Sequence, residues 1–392
     1  MNIPEILYIL EHVSWILAAI AVAYLLLFAL ASLKNGKTIY PPATKLHKFM
    51  ILFPAYQEDR IIVSSIESFL QQDYPQEQYH IVVISDHMQE TTNLQLSRLP
   101  ITLLKANYDN SSKAKALQLA MNHFDREAFD AVVILDADNI VEPQFLSDIN
   151  NAIAAGTQAI QAHRIAKNRN TDIAVLDGLS EEINNSIFRS GHVKLGLSSA
   201  LSGSGMAFNY EWFHNNVNLL MTSGEDKELE RMLLQQKIFI DFLDNTYVYV
   251  EKIHAPKGFY HQRRRWLASQ FTQCKGIFKE LPHALFSGKI DYFNKLIQWL
   301  FPPRLILLGG IIIMGSSLLI IEWSLAIKWW GLFLVMGISL CLAIPKQMLD
   351  KHTRQSLIKL PVLFILMVIN LFRIKGMDKK FVNTEKNGSS TL

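Results

Sequence analysis

Two aspartates, Asp136 and Asp138, follow the apolar run "DAVVIL" and carry the strongest chemical signal in the chain. Only the small Ala137 separates them, so their carboxylates lie close together and repel each other unless a positive charge sits between them. A hard divalent cation supplies that charge and leaves coordination positions for phosphate oxygens and water. The alternative is a helix-capping aspartate beside an incidental neighbour. The pattern favours a metal-assisted phosphate site.

Polar side chains also follow the first and second apolar runs. Tyr56 and Glu58 come after "FMILFP", and Asp86 ends "HIVVISD". Acidic residues at such points also cap helices and form turns, which explains each one equally well when it is taken alone. Together, three strand ends with carboxylates predict a ligand-binding edge of one sheet.

A second acidic pair lies in "SGEDKELERMLLQQ", where Gly224 precedes Glu225 and Asp226. Acidic residues in the first turn of a helix are stabilised by the helix dipole. The functional alternative makes one of them a general base that faces the site. This segment alone favours the structural explanation.

The stretch "FYHQRRRWLASQ" sets three consecutive arginines beside aromatic residues. In a helix, Gln262, Arg265 and Trp266 stand at positions i, i+3 and i+4 and share one face. Arg263 and Arg264 then point elsewhere, which is typical of a solvated or headgroup-facing surface.

The glycine-rich segment "SGSGMAF", residues 202–208, matches neither a P-loop nor G-x-G-x-x-G. Its glycines permit a tight loop that passes close to a ligand or another backbone, and a plain turn is an equal alternative.

Short runs rich in Ile and Val alternate with helical patterns between the first and last apolar segments. Runs that are apolar on both faces and separated by helices indicate a mostly parallel sheet covered on both sides. The sequence therefore predicts an α/β domain of the doubly wound type. Its strands are expected at "FMILFP", "HIVVISD", "ITLLKA", "DAVVILDAD" and "QAIQAH".

Half of the 392 residues are apolar and only 19% are charged, which is typical of a membrane protein with a large water-facing part. The net charge of +3 gives no reason to expect a nucleic-acid partner. Cys274 and Cys341 show no ligand spacing, and we predict neither a disulfide nor a metal site from them.

Residues 13–33 carry no charge over the length that crosses a bilayer core as a helix. A cleaved signal peptide is the alternative, but the preceding residues are acidic and contain no basic residue. Lysines that follow this segment place the N-terminus outside and the next domain in the cytoplasm. Residues 305–345 then predict a transmembrane hairpin.

The last apolar segment, residues 360–374, has too few uncharged residues for a full span and contains Pro361 and Asn370. A crossing would also export Arg373, Lys375, Lys379 and Lys380, against the positive-inside rule. We therefore predict an interfacial or re-entrant helix and a cytoplasmic C-terminus.

Taken in order, "PAYQED", "ISDH", Lys113 of "KAKALQLAM", "DAD", "SGSGMAF", "GED" and "QRRRW" are followed at once by apolar helices. This order resembles family 2 glycosyltransferases with a GT-A fold. The resemblance is to the membrane-integrated branch that includes cellulose, chitin and hyaluronan synthases and ceramide glucosyltransferase-like enzymes. It covers residues 50–270.

The resemblance implies a role for each matching residue. Tyr56, Glu58, Asp86 and Lys113 would bind the nucleotide of a UDP-sugar, and Asp136 and Asp138 would be the D-x-D pair, with Asp138 on Mg2+ or Mn2+. Asp226 matches the general base of a T-E-D motif, although Gly224 stands where Thr is usual. Gln262, Arg265 and Trp266 match Q-x-x-R-W.

The function so implied is inverting, metal-dependent sugar transfer from a UDP-sugar to a growing polysaccharide at the cytoplasmic face of a plasma or inner membrane. Transfer of a single sugar to a membrane lipid is the alternative, and an inactive sugar-binding or assembly protein is a third. The membrane part is small for a polymer channel unless a homo-oligomer or an export partner completes it.

These interpretations divide the chain as follows: 1–12 an external segment, 13–33 a transmembrane helix, 34–48 a basic linker, 49–258 the GT-A catalytic domain, 259–304 the Q-x-x-R-W and interfacial helices, 305–345 the transmembrane hairpin, 346–359 a basic cytoplasmic loop, 360–374 the short apolar helix, and 375–392 the C-terminal tail.

Overall fold

The computed structural model describes residues 3–34, 36, 39–222, 224–253, 256–274 and 276–373. The C-terminal tail predicted at 375–392, with Lys375, Lys379 and Lys380, lies outside the described residues.

One sheet of eight strands forms the centre of the water-facing part, in the order β3-β2-β1-β4-β7-β6-β8-β5. The strands are β1 (Phe49–Tyr56), β2 (Tyr79–Asp86), β3 (Thr102–Ala106), β4 (Ala131–Ile134), β5 (Ile140–Val141), β6 (Ala159–Ala166), β7 (Met206–Asn209) and β8 (Ile240–Val250).

The helices that accompany them are α1 (Ile3–Ser32), α2 (Ile62–Phe69), α3 (Glu90–Leu96), α4 (Lys113–His123), α5 (Phe145–Ala154), α6 (Asp172–Asn184), α7 (Gly191–Val193), α8 (Tyr210–Asn216), α9 (Glu225–Gln235), α10 (Pro256–Cys274), α11 (Ile277–Phe286), α12 (Ile290–Leu300), α13 (Arg304–Ile321), α14 (Trp323–Leu342), α15 (Lys351–Ser356) and α16 (Leu360–Phe372). A π-helical turn, Asn185–Ser190, joins α6 to α7.

The sheet is buried on both faces because its central strands are apolar at nearly every position. On one face, alternate strand residues such as Met50 and Leu52 pack with α4, α8 and α9. On the other, Phe49 and Ile51 pack with α2 and α5. This two-sided burial confirms the predicted α/β class.

The sheet is mixed rather than uniformly parallel. β1, β2, β3 and β4 pair in parallel, as do β6 and β8. β7 lies antiparallel between β4 and β6, and β5 is antiparallel to β8. The glycine-rich segment leads directly into β7, a strand that was not predicted.

Four helical segments of the described chain are long and apolar enough to cross a membrane: Glu5–Ser32, Arg304–Ile321, Trp323–Leu342 and Lys351–Leu371. α1 begins at Ile3, ten residues before the span predicted from sequence. α1, α13 and α14 pack on one another through an apolar cluster that also receives part of α6.

The short segment before and within α16 lies against the water-facing domain at both ends. At its start, Asp350 pairs with Arg169 at 3.0 Å, and Ser356 Oγ donates to Asp172 at 2.8 Å. At its end, Asn370 Nδ2 donates to the Tyr260 carbonyl at 3.1 Å. Asn370 therefore joins α16 to α10.

Candidate functional site

The ends of β1 and β2 lie side by side because the two strands are parallel and in register. Tyr56 is the register partner of Asp86. The Asp86 carboxylate is buried and lies 2.6 Å from Nδ1 of His87, whose ring meets the Tyr56 ring edge-on at 5.6 Å. The structure thus brings together the first two predicted strand-end groups.

The backbone turns sharply at both of these strand ends. Gln57 and His87 each have a φ of 54°, in the left-handed region that residues other than glycine rarely occupy. The Gln57 amide donates to the Asp86 carbonyl at 3.2 Å, which ties the two turns together. Such strain is typical of ligand-binding loops that the surrounding fold holds in place.

The third strand end carries Asp136 and Asp138, braced by Asn139. The Asn139 side chain accepts from the Asp136 amide at 3.0 Å and donates to Asp138 Oδ1 at 3.1 Å. Asp138 is buried, whereas the Asp136 side chain is 35% exposed. Because β4 lies beside β1, these carboxylates share the sheet edge with Tyr56 and Asp86.

Lys113 crosses from the start of α4 to this edge. The Ser112 hydroxyl caps α4 by accepting from the Lys115 amide at 3.2 Å, which fixes the first turn. Lys113 Nζ then donates to Asp136 Oδ1 at 2.5 Å and to the Gly203 carbonyl at 2.6 Å. It lies 3.8 Å from Glu225 Oε1, so one ammonium links three segments of the chain.

The glycine-rich loop is held in place by Gln161, a fully buried side chain of β6. Its Oε1 accepts from the Ser202 amide at 2.9 Å, and its Nε2 donates to the Ser204 carbonyl at 3.0 Å. Gly203 and Gly205 have positive φ values of 82° and 65°. A Cβ on Gly205 would lie 2.9 Å from a side-chain methyl of Val248, so the glycine lets the loop backbone pack against the Val248 side chain.

α9 directs its acidic first turn at this loop. A Cβ placed on Gly203 would be 3.9 Å from Glu225 Oε1 and 4.0 Å from Asp226 Oδ2. Asp226 is partly exposed and Glu225 is buried. The D-x-D pair and the "GED" carboxylates therefore lie around the same loop.

Glu225 titrates close to neutral pH. Burial raises the pKa of its carboxyl to about 7, Lys113 opposes that rise, and the Asp226 carboxylate adds to it. Two adjacent acids in one helix turn thus occupy different environments: Glu225 is buried, and Asp226 is partly exposed to solvent.

Arg164 of β6 interacts electrostatically with several acidic groups of the site. Its Nη1 donates to the Ser202 carbonyl. Burial disfavours its charge, but Glu181 and the carboxylates of Asp136, Asp138 and Asp226 raise the pKa of the guanidinium above its ordinary value. It is a cation fixed beside the D-x-D pair.

The predicted Q-x-x-R-W face of α10 meets the start of α9. A Cβ on Gly224 would collide with the Ser269 hydroxyl. Ser269 thus fills the space that a threonine side chain, usual at this position of the T-E-D motif, would need. Ser269 lies seven residues after Gln262, on the same face as Arg265 and Trp266. Gln262 and Arg265 are half-buried, and Trp266 is 37% exposed.

The expectation that Arg263 faces solvent or headgroups is wrong. Its side chain is only 15% exposed and pairs with the buried carboxylate of Asp177. Its guanidinium lies 4.5 Å above the Trp266 ring and 4.8 Å above the Phe259 ring. α6 covers this side of α10, which the sequence of α10 alone does not reveal. Arg264 is half-buried and donates to the Arg373 carbonyl at 2.6 Å.

The donor set suits a metal that completes its coordination with a ligand. Among the described residues, no group of three or more His, Cys, Asp and Glu side chains is placed to hold a metal ion. Asp138 and Asp136 offer hard carboxylate oxygens at the edge of the site, and Mg2+ or Mn2+ held by one or two carboxylates takes its other ligands from phosphates and water.

Three residues of this site were not predicted from sequence: Gln161, Arg164 and Glu225 as a buried, neutral-pH group. Gln161 and Arg164 stand three residues apart in β6, so strict alternation would put them on opposite faces of the strand. An irregularity between Ala162 and His163 interrupts that alternation, and the pairing of Gln161 with Met206 of β7 holds β6 beside the end of the glycine-rich loop.

Comparison with known proteins adds a family and a fold. Residues 47–269 match the family described as "Glycosyltransferase like family 2". The mannosyltransferase PcManGT from Pyrobaculum calidifontis, solved in complex with GDP-Man and Mn2+, aligns over 87% of this chain and 99% of its own, with a TM-score of 0.53 and 19% identity. No curated protein matches the chain in sequence.

Weaker structural similarities cover the water-facing part. Glucosyl-3-phosphoglycerate synthase from Mycobacterium tuberculosis aligns over 61% of this chain and 88% of its own, at 14% identity and a TM-score of 0.44. TarS 1-349 from S. aureus aligns over 57% of this chain and 64% of its own, at 15% identity and a TM-score of 0.38.

Proposed function

The chain belongs to glycosyltransferase-like family 2, and from that premise we propose that it transfers a sugar, with inversion, from a nucleoside-diphosphate sugar to an acceptor hydroxyl at a membrane face. One observation supports this most strongly: Lys113 joins the D-x-D loop, the glycine-rich loop and the acidic start of α9 into one site. The GT-A fold places that site at the strand ends.

The strand-end residues would bind the donor. Tyr56, Glu58 and Asp86 lie at or just after the ends of β1 and β2 and would contact the nucleoside there, and the resemblance to the polysaccharide synthases favours uridine. Asp138 and Asp136 would hold Mg2+ or Mn2+, which when bound neutralises the diphosphate as a Lewis acid. Lys113 and Arg164 add fixed positive charge next to the phosphates.

Asp226 would act as the general base. Its partly exposed carboxylate can accept the proton of an acceptor hydroxyl, while buried Glu225 is engaged with Lys113. The hydroxyl oxygen then attacks the anomeric carbon from the side opposite the leaving diphosphate, which inverts that centre. Gln262, Arg265 and Trp266 would line the acceptor side, with Trp266 offering an apolar face to a sugar ring.

The helices would place the site at the cytoplasmic surface of a membrane, with α1 entering from outside and α13 and α14 forming a hairpin. Their packed interior is apolar: Ala18, Val22, Leu25, Ile311, Trp329 and Met336 are buried in it. Sugar hydroxyls moving through such a bundle would lose their hydrogen bonds. Between the two acceptors expected from sequence, this feature favours a membrane lipid over a growing polysaccharide.

Product analysis tests the proposal. The purified full-length protein is incubated with UDP-sugars and GDP-sugars, Mn2+ or Mg2+ and extracted lipids, and the products are sized. We expect metal-dependent nucleotide release with a lipid product that carries one added sugar. A high-mass polymer would instead support polysaccharide synthesis. If no nucleotide is released with any donor, both the lipid and the polysaccharide hypothesis are overturned.

A further inference from the structure

Charged side chains collect where α6, α10 and α13 meet, beside the donor site but outside it. We call Asp177, Glu181, Arg189, Lys252, Arg263 and Arg304 the junction cluster. Asp177, Ser180, Glu181 and Asn184 stand at helical spacing on one face of α6, which turns this polar stripe toward α10 and the first residue of α13.

Most of the cluster forms buried ion pairs. Lys252 Nζ lies 3.7 Å from Asp177 and 3.3 Å from Glu181, and Arg189 lies 3.1 Å from Glu181. Burial opposes ionisation of Glu181, yet Lys252 and the nearby arginines hold its pKa below the ordinary value. Each carboxylate therefore serves more than one cation.

Arg304 has only neutral partners in the described part of the chain. Its Nη2 donates to the Ser180 carbonyl and hydroxyl at 3.2 Å and to Asn184 Oδ1 at 2.7 Å. Its Nη1 is buried and finds no acceptor among the described residues, and the same holds for Nε of Arg263. The two guanidinium groups are close enough to repel each other.

The charges of the junction cluster do not balance. Lys252, Arg189 and Arg263 share two carboxylates, Asp177 and Glu181, and Arg304 forms an ion pair with neither of them. The neighbouring Glu182 lies 3.2 Å from His163 and also acts on Arg189, so four cations face three carboxylates. Buried cations without counter-charge are costly, and a ligand that brings negative charge and several acceptor oxygens relieves that cost. Planar guanidinium groups suit phosphate oxygens in particular.

The location indicates where such a phosphate would come from. Arg304 is the first residue of α13, at the boundary between the water-facing domain and the apolar helices. The Arg164 guanidinium interacts electrostatically with the D-x-D carboxylates and with Glu181, so the cluster is near the reaction site without sharing its metal-binding residues. A lipid headgroup at this boundary would present a sugar hydroxyl to Asp226 while its phosphate rests on the junction cluster.

We propose that the acceptor is a phosphate-bearing lipid whose phosphate binds Arg304 and Arg263 where α6, α10 and α13 meet. The inference rests on the proposed function, since it names the acceptor class of the same site. It assigns the junction cluster to anchoring the acceptor and leaves the sugar transfer to the donor-site residues.

Direct binding tests this without any transfer reaction. The full-length protein in nanodiscs of neutral lipid is titrated with farnesyl phosphate, with farnesol and with inorganic phosphate, and affinity is read by thermophoresis. We expect farnesyl phosphate to bind more tightly than either control. Arg304→Gln should weaken it at least about tenfold, Arg304→Lys less, and Arg264→Gln should leave it unchanged.

The controls separate this proposal from the general function. UDP binding to Arg304→Gln, measured in the same discs, should match the wild type and shows that the variant is folded. Equal affinity of farnesyl phosphate for wild type and Arg304→Gln, or equal affinity of farnesol, would overturn the anchor. If inorganic phosphate binds as tightly as farnesyl phosphate, the claim that the bound phosphate belongs to a lipid is overturned. Loss of UDP binding in Arg304→Gln with a melting temperature equal to that of the wild type would overturn the anchor and assign the cluster to the donor.

Discussion

At the scale of single residues, the acidic pair at the start of α9 shows how environment assigns roles. Asp226 is partly exposed beside the glycine-rich loop, whereas Glu225 is buried next to Lys113. A base must reach the acceptor and give up its proton to water, which suits the exposed member of the pair.

Asp226→Asn should abolish sugar transfer and leave donor binding intact. The amide keeps the size of the side chain but cannot take a proton at neutral pH. Nucleotide release gives the activity, and titration with UDP and Mn2+ gives the affinity. Turnover near the wild-type rate would remove Asp226 as the base.

Glu225→Gln should change how stability depends on pH. The folded protein holds this proton up to a pKa of about 7, against an ordinary value of 4.5, so wild-type stability falls as pH rises through that interval and then levels off. The variant has no such proton to lose. Between about pH 5 and pH 8 we expect it to gain about 1–3 kcal/mol relative to wild type.

Thermal melting in detergent with EDTA measures this difference, and comparing two pH values cancels any constant effect of the substitution. Parallel pH curves for the two proteins would contradict it.

The donor-site residues could be predicted from the sequence, but the sequence did not show which of Glu225 and Asp226 is buried and which is exposed. Asp136, Asp138, Lys113 and Asp226 were identified by type, spacing and resemblance, and the structure brings them around one loop. Burial of Glu225 depends on Lys113 and the loop at Gly203, which are distant in the chain. No local pattern encodes that contact.

At the scale of elements, the turn from the glycine-rich loop into β7 positions the carbonyl that Lys113 binds. Gly205 has a positive φ, and its Cα faces Val248 of β8 at close range. The loop therefore has little freedom to accept a side chain.

Gly205→Ala should destabilise the domain by about 2 kcal/mol, since the Cβ adds overlap to an unfavourable φ. Gly156→Ala is the matched control because its φ of 97° is also positive and no atom lies within 4 Å of the added Cβ. Chemical denaturation compares them. Equal losses of unfolding free energy in the two variants would show that the positive φ, and not overlap with Val248, explains the cost at Gly205.

Arg263→Ala should cost about 2 kcal/mol, because buried Asp177 would keep Lys252, at 3.7 Å, as its one cationic partner among the described residues, and the stacking on Trp266 would be lost. Arg264→Ala should stay within about 0.5 kcal/mol, as its partner is a carbonyl at the end of α16. Melting temperatures distinguish the two. Equal shifts would return Arg263 to a surface role.

The parallel strands and their helices were predictable because each carries its own apolar pattern, as β2 and α4 show. β7 was not, since "MAFN" is short and its pairing between β4 and β6 depends on non-local partners. Arg263 shows the same limit, because helical spacing fixes which residues share a face of α10 but not which faces other elements cover.

At the scale of the whole molecule, the segment 350–373 is predicted to be an interfacial or re-entrant helix, and both of its ends contact the water-facing domain, at Arg169 and Tyr260. α16 alone has 13 residues, about 20 Å of helix, but the helical segment Lys351–Leu371 has 21 residues, about 30 Å, which equals the thickness of a bilayer core. Length alone therefore allows this segment to cross, and the contacts at its two ends are the reason to expect that it does not. Phe364 packs on Gly309, close to the domain-side end of α13.

A green fluorescent protein fused after Leu392 should therefore fluoresce in the cytoplasm, and alkaline phosphatase fused there should be inactive. A phosphatase inserted at Glu322, between α13 and α14, should be active because that turn would lie outside. Phosphatase activity after Leu392 would show that α16 crosses the membrane.

The opposite end of the bundle is closed by a buried acid of α1. Glu11 Oε2 lies 2.8 Å from Lys328 Nζ, and Glu11 Oε1 accepts from the Trp329 indole at 2.6 Å. The partners of Glu11 are made more than three hundred residues after it during synthesis. If α1 enters a bilayer as proposed, the Glu11 carboxyl has its neighbour His12, 2.9 Å away, as a local partner while the sheet domain is translated. We therefore expect the contacts between α1 and α14 to form late in biogenesis, after the whole sheet domain has been made.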